Sequence, residues 1–231
     1  MRIRFAFLVA LFAFFGTCVS AAAENLTEEA WLQNQGNQFI QALGLYDDEE
    51  RFMRLRTLID TTFDMQSMAK RVVGSRWTSL DADMQGRLVN AFKSYVIYVY
   101  AAKPINFGTI DFNVKDAVDI GNYNRESRVS ASLTLQTQTG VQEGMQPMTL
   151  PVSFVVMLKG GSFRIVDVSL NGLSLISFVR GVFYREMQQN KNNIYVTLHA
   201  LEKTAYNAAQ GNYQTPDVLN EIIRENPYEE R

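Results

Sequence analysis

The chain has 231 residues, 47% of them apolar, with 22 basic and 24 acidic side chains and a net charge of −2. A mildly acidic balance without any block of Lys or Arg argues against a nucleic-acid partner. A single Cys and a single His leave no disulfide framework and no cluster of ligands for zinc or iron.

Arg2 and Arg4 precede an apolar run from Phe5 to Phe15, and Ala21-Ala22-Ala23 supply small residues before Glu24. Residues 1–23 therefore read as a secretory signal peptide, with an apolar core too short to span a bilayer. Removal of this segment takes Cys18 with it and moves the net charge to −4. The mature chain is expected to work outside the cytoplasm and to be held by its core alone.

Helices come first. Thr27 with Glu28 and Glu29 gives a capping hydroxyl followed by acids at the positive end of the helix dipole. Trp31, Phe39 and Leu43 supply its apolar face. Asp47 and Asp48 open a second helix carrying Phe52, Leu55 and Ile59, and Asp64 caps a third, with Met65, Met68 and Val72, that stops at Gly74. Thr78 and Asp81 predict a capped start for a long helix from Leu80 to Tyr100, where Leu80, Met84, Leu88, Phe92, Tyr95, Val96 and Val99 form one broad stripe. Lys103-Pro104 ends it.

The period then changes to two. Ile110, Phe112 and Val114 alternate with polar residues, as do Val129, Ala131, Leu133 and Leu135. Gly140 to Gln146 make a polar turn, Val152 to Leu158 the next strand, and Lys159-Gly160-Gly161-Ser162 a hairpin. Phe163 to Leu170 return with Val166, Val168 and Leu170 on one side, and Asn171-Gly172 breaks the strand. Helices resume, with one stripe of Leu175, Val179, Val182, Phe183 and Met187 and another of Ile194, Leu198, Leu201 and Ala205. Thr215, Pro216 and Asp217 start a short helix in the tail, with Val218, Leu219, Ile222 and Ile223 as its apolar face.

Helices, antiparallel strands and helices again predict an α+β fold, with helices on one face of a curved sheet around an apolar interior. Residues 24–211 form one domain and 212–231 a C-terminal tail. Catalytic chemistry is sparse: the chain has no nucleophile elbow, phosphate loop or dinucleotide fingerprint, and no catalytic, metal or cofactor residue is assigned. Asp47-Asp48-Glu49-Glu50 fits a helix first turn better than a calcium loop, and His199 falls on a surface face. Asp167 leaves two readings open. It could be a general base in a cone-shaped enzyme with Tyr95 or Tyr98 as donor, or it could fix the strand-to-helix turn through backbone groups or an Arg such as Arg164 or Arg180.

Apolar residues exceed what a skeleton core needs, and unbranched Met side chains (Met65, Met68, Met84, Met148, Met157) suit a cavity that accepts flexible chains. The alternating strands predict a wall of Val129, Ala131, Leu133, Val152, Phe154, Val156, Val166 and Val168 facing Leu88, Phe92, Tyr95 and Val96. Met68, Val179 and Phe183 complete this candidate pocket. Because strand faces alternate, the opposite face remains open as a set.

Two blocks carry a family resemblance. Phe63-Asp64-Met65, Met68 to Gly74, Trp77, Gln85 and Phe92 make the first. Phe163 to Val168, Leu170 to Ile176, Arg180 and Phe183 make the second. Over roughly Leu45 to Lys203 the chain resembles MlaC-type periplasmic phospholipid-binding proteins, a toluene-tolerance auxiliary family with a hopanoid-associated sister group. Asn171 stands where an acid is usual and Phe163 where Trp is common. The resemblance implies four or five antiparallel strands and helices that enclose acyl chains. It also implies a periplasmic carrier of phospholipid, exchanging cargo with an inner-membrane ABC transporter complex and an outer-membrane lipoprotein–porin complex.

Overall fold

The structure, a computed structural model, describes residues 27–101, 109–121, 125–136 and 147–209. The expected signal peptide, the Lys103-Pro104 stop, the turn at 140–146 and the tail at 212–231 lie outside the described residues.

Three helices begin where the sequence places a short polar cap. Helix α1 (Glu28–Leu43) starts at Thr27, whose hydroxyl accepts from the Ala30 amide at 3.2 Å. Helix α2 (Asp48–Thr62) starts at Asp47, which accepts from Glu50 N at 2.7 Å, and α3 (Met65–Val73) at Asp64, which accepts from Ser67 N at 3.0 Å. Each cap satisfies a first-turn N–H that has no partner within the helix. The expected start of the long helix near Leu80 is corrected. Gly74–Ser79 form a 3-10 turn in which the Thr78 hydroxyl donates back to Ser75 O, and α4 (Ala82–Ala101) is capped by Asp81, which accepts from Met84 N at 2.8 Å.

Five antiparallel strands follow, paired strictly in chain order: β1 (Thr109–Asp119), β2 (Glu126–Gln136), β3 (Met148–Lys159), β4 (Ser162–Leu170) and β5 (Leu173–Ser174). Gly160 and Gly161 turn between β3 and β4 with φ of 57° and 79°, the pair of positive φ angles that a two-residue hairpin of the strands' own twist requires. Asn171-Gly172 is a second such turn, with φ of 49° and 80°. It returns the chain for the two-residue β5 where the sequence predicted a plain break. Helix α5 (Leu175–Gln189) and helix α6 (Ile194–Ala209) close the described chain.

Pairing fixes which side chains share a face. Phe112 lies opposite Leu133, Val114 opposite Ala131, and the Ala131–Val152–Leu170 and Val129–Phe154–Val168 rows run across three strands. A bulge in β4 corrects the expected row of Val166, Val168 and Leu170. Val155 pairs with Asp167 and Val156 with Ile165, so Val166 is the extra residue and Ile165 takes its place on the apolar face.

That face is filled differently at its two ends. At one end Leu32 of α1 packs with Val129, Val156 and Ile165, beside a tilted Trp31–Phe163 ring pair at 5.6 Å and an edge-on Phe112–Phe154 pair at 5.9 Å. Helix α1 approaches β1 so closely that a Cβ on Gly36 would overlap the Phe112 ring. Beside it, Gln33 donates to Phe112 O at 2.7 Å and accepts from Val114 N at 2.9 Å, standing in for a neighbouring strand at the sheet edge. The helices form the second cluster, with Leu55, Met84, Leu88, Phe92, Phe183, Met187 and Leu198 among its buried members. Arg87 of α4 grips both carboxylate oxygens of Glu202 on α6, at 2.9 and 2.8 Å, and holds that carboxyl below its ordinary value.

Candidate functional site

Where the sheet's apolar face is not filled by α1, a cavity of about 340 Å3 lies between sheet and helices. Its wall combines Phe39 and Leu43 of α1, Leu55 and Ile59 of α2, Phe63, Met65 and Met68 around the start of α3, and Tyr95, Val96 and Ile97 near the end of α4. The sheet adds Leu133, Val152, Val168 and Leu170, and the β5–α5 turn adds Leu173, Ser174, Leu175, Phe178 and Val179. Among the described residues, apart from the Ser174 hydroxyl and the Tyr95 phenol, this lining offers only apolar side chains, and no charged residue belongs to it. Leu173 is 54% exposed, so apolar surface continues from the wall to solvent at this end.

Seven of the predicted pocket residues come together here: Met68, Tyr95, Val96, Leu133, Val152, Val168 and Val179. The others do not line the cavity. Leu88, Phe92 and Phe183 belong to the buried cluster between helices. Val129, Phe154 and Val156 lie at the filled end of the sheet under α1, Ala131 is buried, and Val166 sits fully buried at the bulge. The stripe on α4 thus divides along its length. Its first turns meet other helices, and among its described side chains Tyr95, Val96 and Ile97 reach the cavity. Phe39, Leu43, Leu55, Ile59, Phe63, Met65, Ile97, Leu170, Leu173, Ser174, Leu175 and Phe178 line it as well and were not among the predicted pocket residues. Leu43, Phe63 and Leu173 carried a signal, since each is an apolar residue at an element's end.

Two anchors shape the ends of the cavity wall. Asp167 points away from it and ties β4 to the start of α5, accepting from Val168 N at 2.8 Å in the strand and from Ile176 N at 3.2 Å and the Ser174 hydroxyl at 2.6 Å at the helix start. That is the turn-fixing geometry. Neither Arg164 nor Arg180 is its partner, because Arg164 donates to Thr61 O and Arg180 to Arg71 O and Val72 O. Tyr95 stands on the cavity wall instead, and the side chain of Tyr98 lies outside the described residues. The second anchor is the end of α3. Arg180, at 2.6 Å from Arg71 O, and the Tyr184 hydroxyl, at 2.9 Å from Val73 O, satisfy its last carbonyls, and Gly74 turns away with φ 66°.

Asp64 holds α3 at the other end. Burial pushes its carboxyl up, but bonds from Lys159 Nζ at 2.6 Å and from the Ser67 amide and hydroxyl outweigh this and leave it below its ordinary value. Its own amide donates to Ile165 O at 2.9 Å, and Phe63 bridges to Ile165 in parallel, so the junction of α2 and α3 is stitched to the edge of β4. This keeps Phe63, Met65 and Met68 on the cavity wall.

A five-stranded meander with helices folded around an apolar pocket defines an α+β binding domain. The sequence profile of the MlaC protein family matches residues 37–203, and the chain belongs to that family. No curated protein matches it. Among solved structures it is similar to the phospholipid-binding protein from Ralstonia solanacearum in complex with a phospholipid. The two share 14% identity at a TM-score of 0.60, over 78% of this chain and 98% of the other, which makes the fold common to both.

Proposed function

We propose that the protein is a periplasmic carrier that holds the acyl part of a phospholipid in this cavity and shuttles lipid between the two membranes. The observation that carries the reading is a ligand-sized cavity with an almost wholly apolar wall inside a chain of the MlaC family. The fold shared with a protein described as phospholipid-binding supports it, as does the signal-like segment at residues 1–23. Cargo exchange with an inner-membrane ABC transporter complex and an outer-membrane lipoprotein–porin complex is part of the proposal, and a hopanoid is the alternative lipid class.

Magnitudes fit a carrier. An apolar cavity of about 150 Å3 takes up one benzene, so the volume here holds on the order of a dozen carbons, roughly one acyl chain. At about 0.8 kcal/mol per methylene, keeping such a chain out of water is worth on the order of 10 kcal/mol. A second chain must therefore lie towards the mouth or spread the walls. Asp167 is engaged between β4 and the α5 start, and the described lining of the cavity holds no carboxylate for general-base work.

The test is direct. Mature protein purified from a periplasmic extract is expected to release phospholipid on organic extraction, read by mass spectrometry, and to take up labelled phospholipid from vesicles. Protein that is lipid-free and takes up none would overturn the reading.

A further inference from the structure

A polar cleft adjoins the apolar cavity and shares Phe63 and Met65 with it as a common wall. Apart from Val89, its other described side chains are charged or polar where the cavity's are not. Lys93 pairs with Asp60 and Lys159 with Asp64, while Arg164 reaches in with no carboxylate partner, donating to the carbonyl of Thr61 at the end of α2. Among the described residues three cations thus face two carboxylates, and the positive charge left over belongs to Arg164. A guanidinium bonded to a neutral carbonyl keeps its full charge and further N–H donors. Asn90 adds an amide, and Asp64 places the start of α3, the positive end of its dipole, at the same cleft.

Charge separated by two side chains from an apolar chamber is the arrangement an amphiphile with an anionic head requires. Wholly apolar cargo gives no reason for it. We propose that this cleft is a phosphate site, in which Arg164 and Lys93 hold the phosphodiester of a lipid whose acyl chain lies beyond Phe63 and Met65. The proposal rests on the carrier reading for the lipid. The chemistry it names, a phosphate on a guanidinium and an ammonium, also fits free phosphate, so the experiment separates the two.

Full-length mature protein is offered vesicles containing labelled phosphatidylglycerol, and in parallel vesicles containing labelled diacylglycerol with the same chains. Arg164→Gln is expected to lower uptake of phosphatidylglycerol about tenfold relative to diacylglycerol, and Arg164→Lys to restore most of it. Lys93→Gln is expected to act in the same direction. An equal loss for both lipids, or no loss for either, would overturn the phosphate site while leaving the carrier reading intact. If the wild-type protein takes up neither lipid, the carrier reading falls. Titration with inorganic phosphate then decides separately: amide shifts around Lys93, Lys159 and Arg164 that vanish in Arg164→Gln support an anion site for free phosphate, and their absence sinks it.

Discussion

Single residues in this protein do work that their neighbours in sequence do not announce. Asp64 caps α3, binds Lys159 and ties the α2–α3 junction to β4. Its folded-state carboxyl titrates below the ordinary 3.8, so the stability it contributes is fully present above that value and is lost as pH falls through the folded-state value. Asn still caps a helix but carries no charge. In urea titrations, Asp64→Asn is therefore expected to fall below wild type at neutral pH, and the gap is expected to narrow as pH drops below about 4. Asp167 is a different case. Removing it strands the Ser174 hydroxyl and the Ile176 amide at the start of α5 and the Val168 amide in β4, and Asp167→Ala is expected to cost about 1–3 kcal/mol by thermal or urea unfolding. Lipid uptake by the folded fraction should be unchanged, because the carboxylate does not reach the cavity. Loss of uptake in a fully folded variant would restore the case for Asp167 as a functional acid.

Elements were legible in proportion to how locally they are specified. The caps at Thr27, Asp47 and Asp64 are single polar residues whose partners lie three positions on, so helix starts could be read from the chain alone. Thr78 and Asp81 together read as one capped start, but Thr78 falls inside the 3-10 turn and Asp81 alone caps α4. The bulge in β4 left no trace, because Ile165 and Val166 are both β-branched and apolar. Only pairing with Val155 and Val156 shows which of them faces inward. The close approach of α1 to β1 was also invisible, since it depends on Gly36 meeting Phe112 across a long sequence separation. Gly36→Ala would drive a methyl group into that ring, with an expected cost of about 1–3 kcal/mol. Phe112→Leu in the same chain should recover part of it, and a double-mutant cycle of unfolding free energies measures the recovery. Additive losses would show that the contact is not what restricts position 36.

At the scale of the molecule, the apolar surplus was readable but its distribution was not. Leu88 and Phe92 share a stripe with Tyr95 and Val96, yet the first two pack between helices and the last two stand at the cavity. A cavity is volume that side chains fail to fill, so composition reports the wall material without locating the gap. Filling the gap separates stability from binding. Val179→Phe projects a larger apolar side chain from α5 into the chamber, and cavity-filling substitutions commonly add about 0.5–2 kcal/mol. Thermal midpoint is expected to rise while uptake of labelled phospholipid falls. A rise in stability with undiminished uptake would place the acyl chain elsewhere.

The Gln33 amide has a consequence for how other molecules can hold this one. An open sheet invites a foreign strand at its margins. Here the middle of β1 already has its Phe112 carbonyl and Val114 amide engaged by a side chain, and a bulge at Lys115 follows directly. On the opposite margin β5 is two residues long, and the Phe63–Asp64 junction occupies β4 at Ile165. Strand addition is thus blocked at the points where it would grip best. A foreign strand would first have to displace these contacts, so the sheet margins are closed to it where the fold itself already uses them.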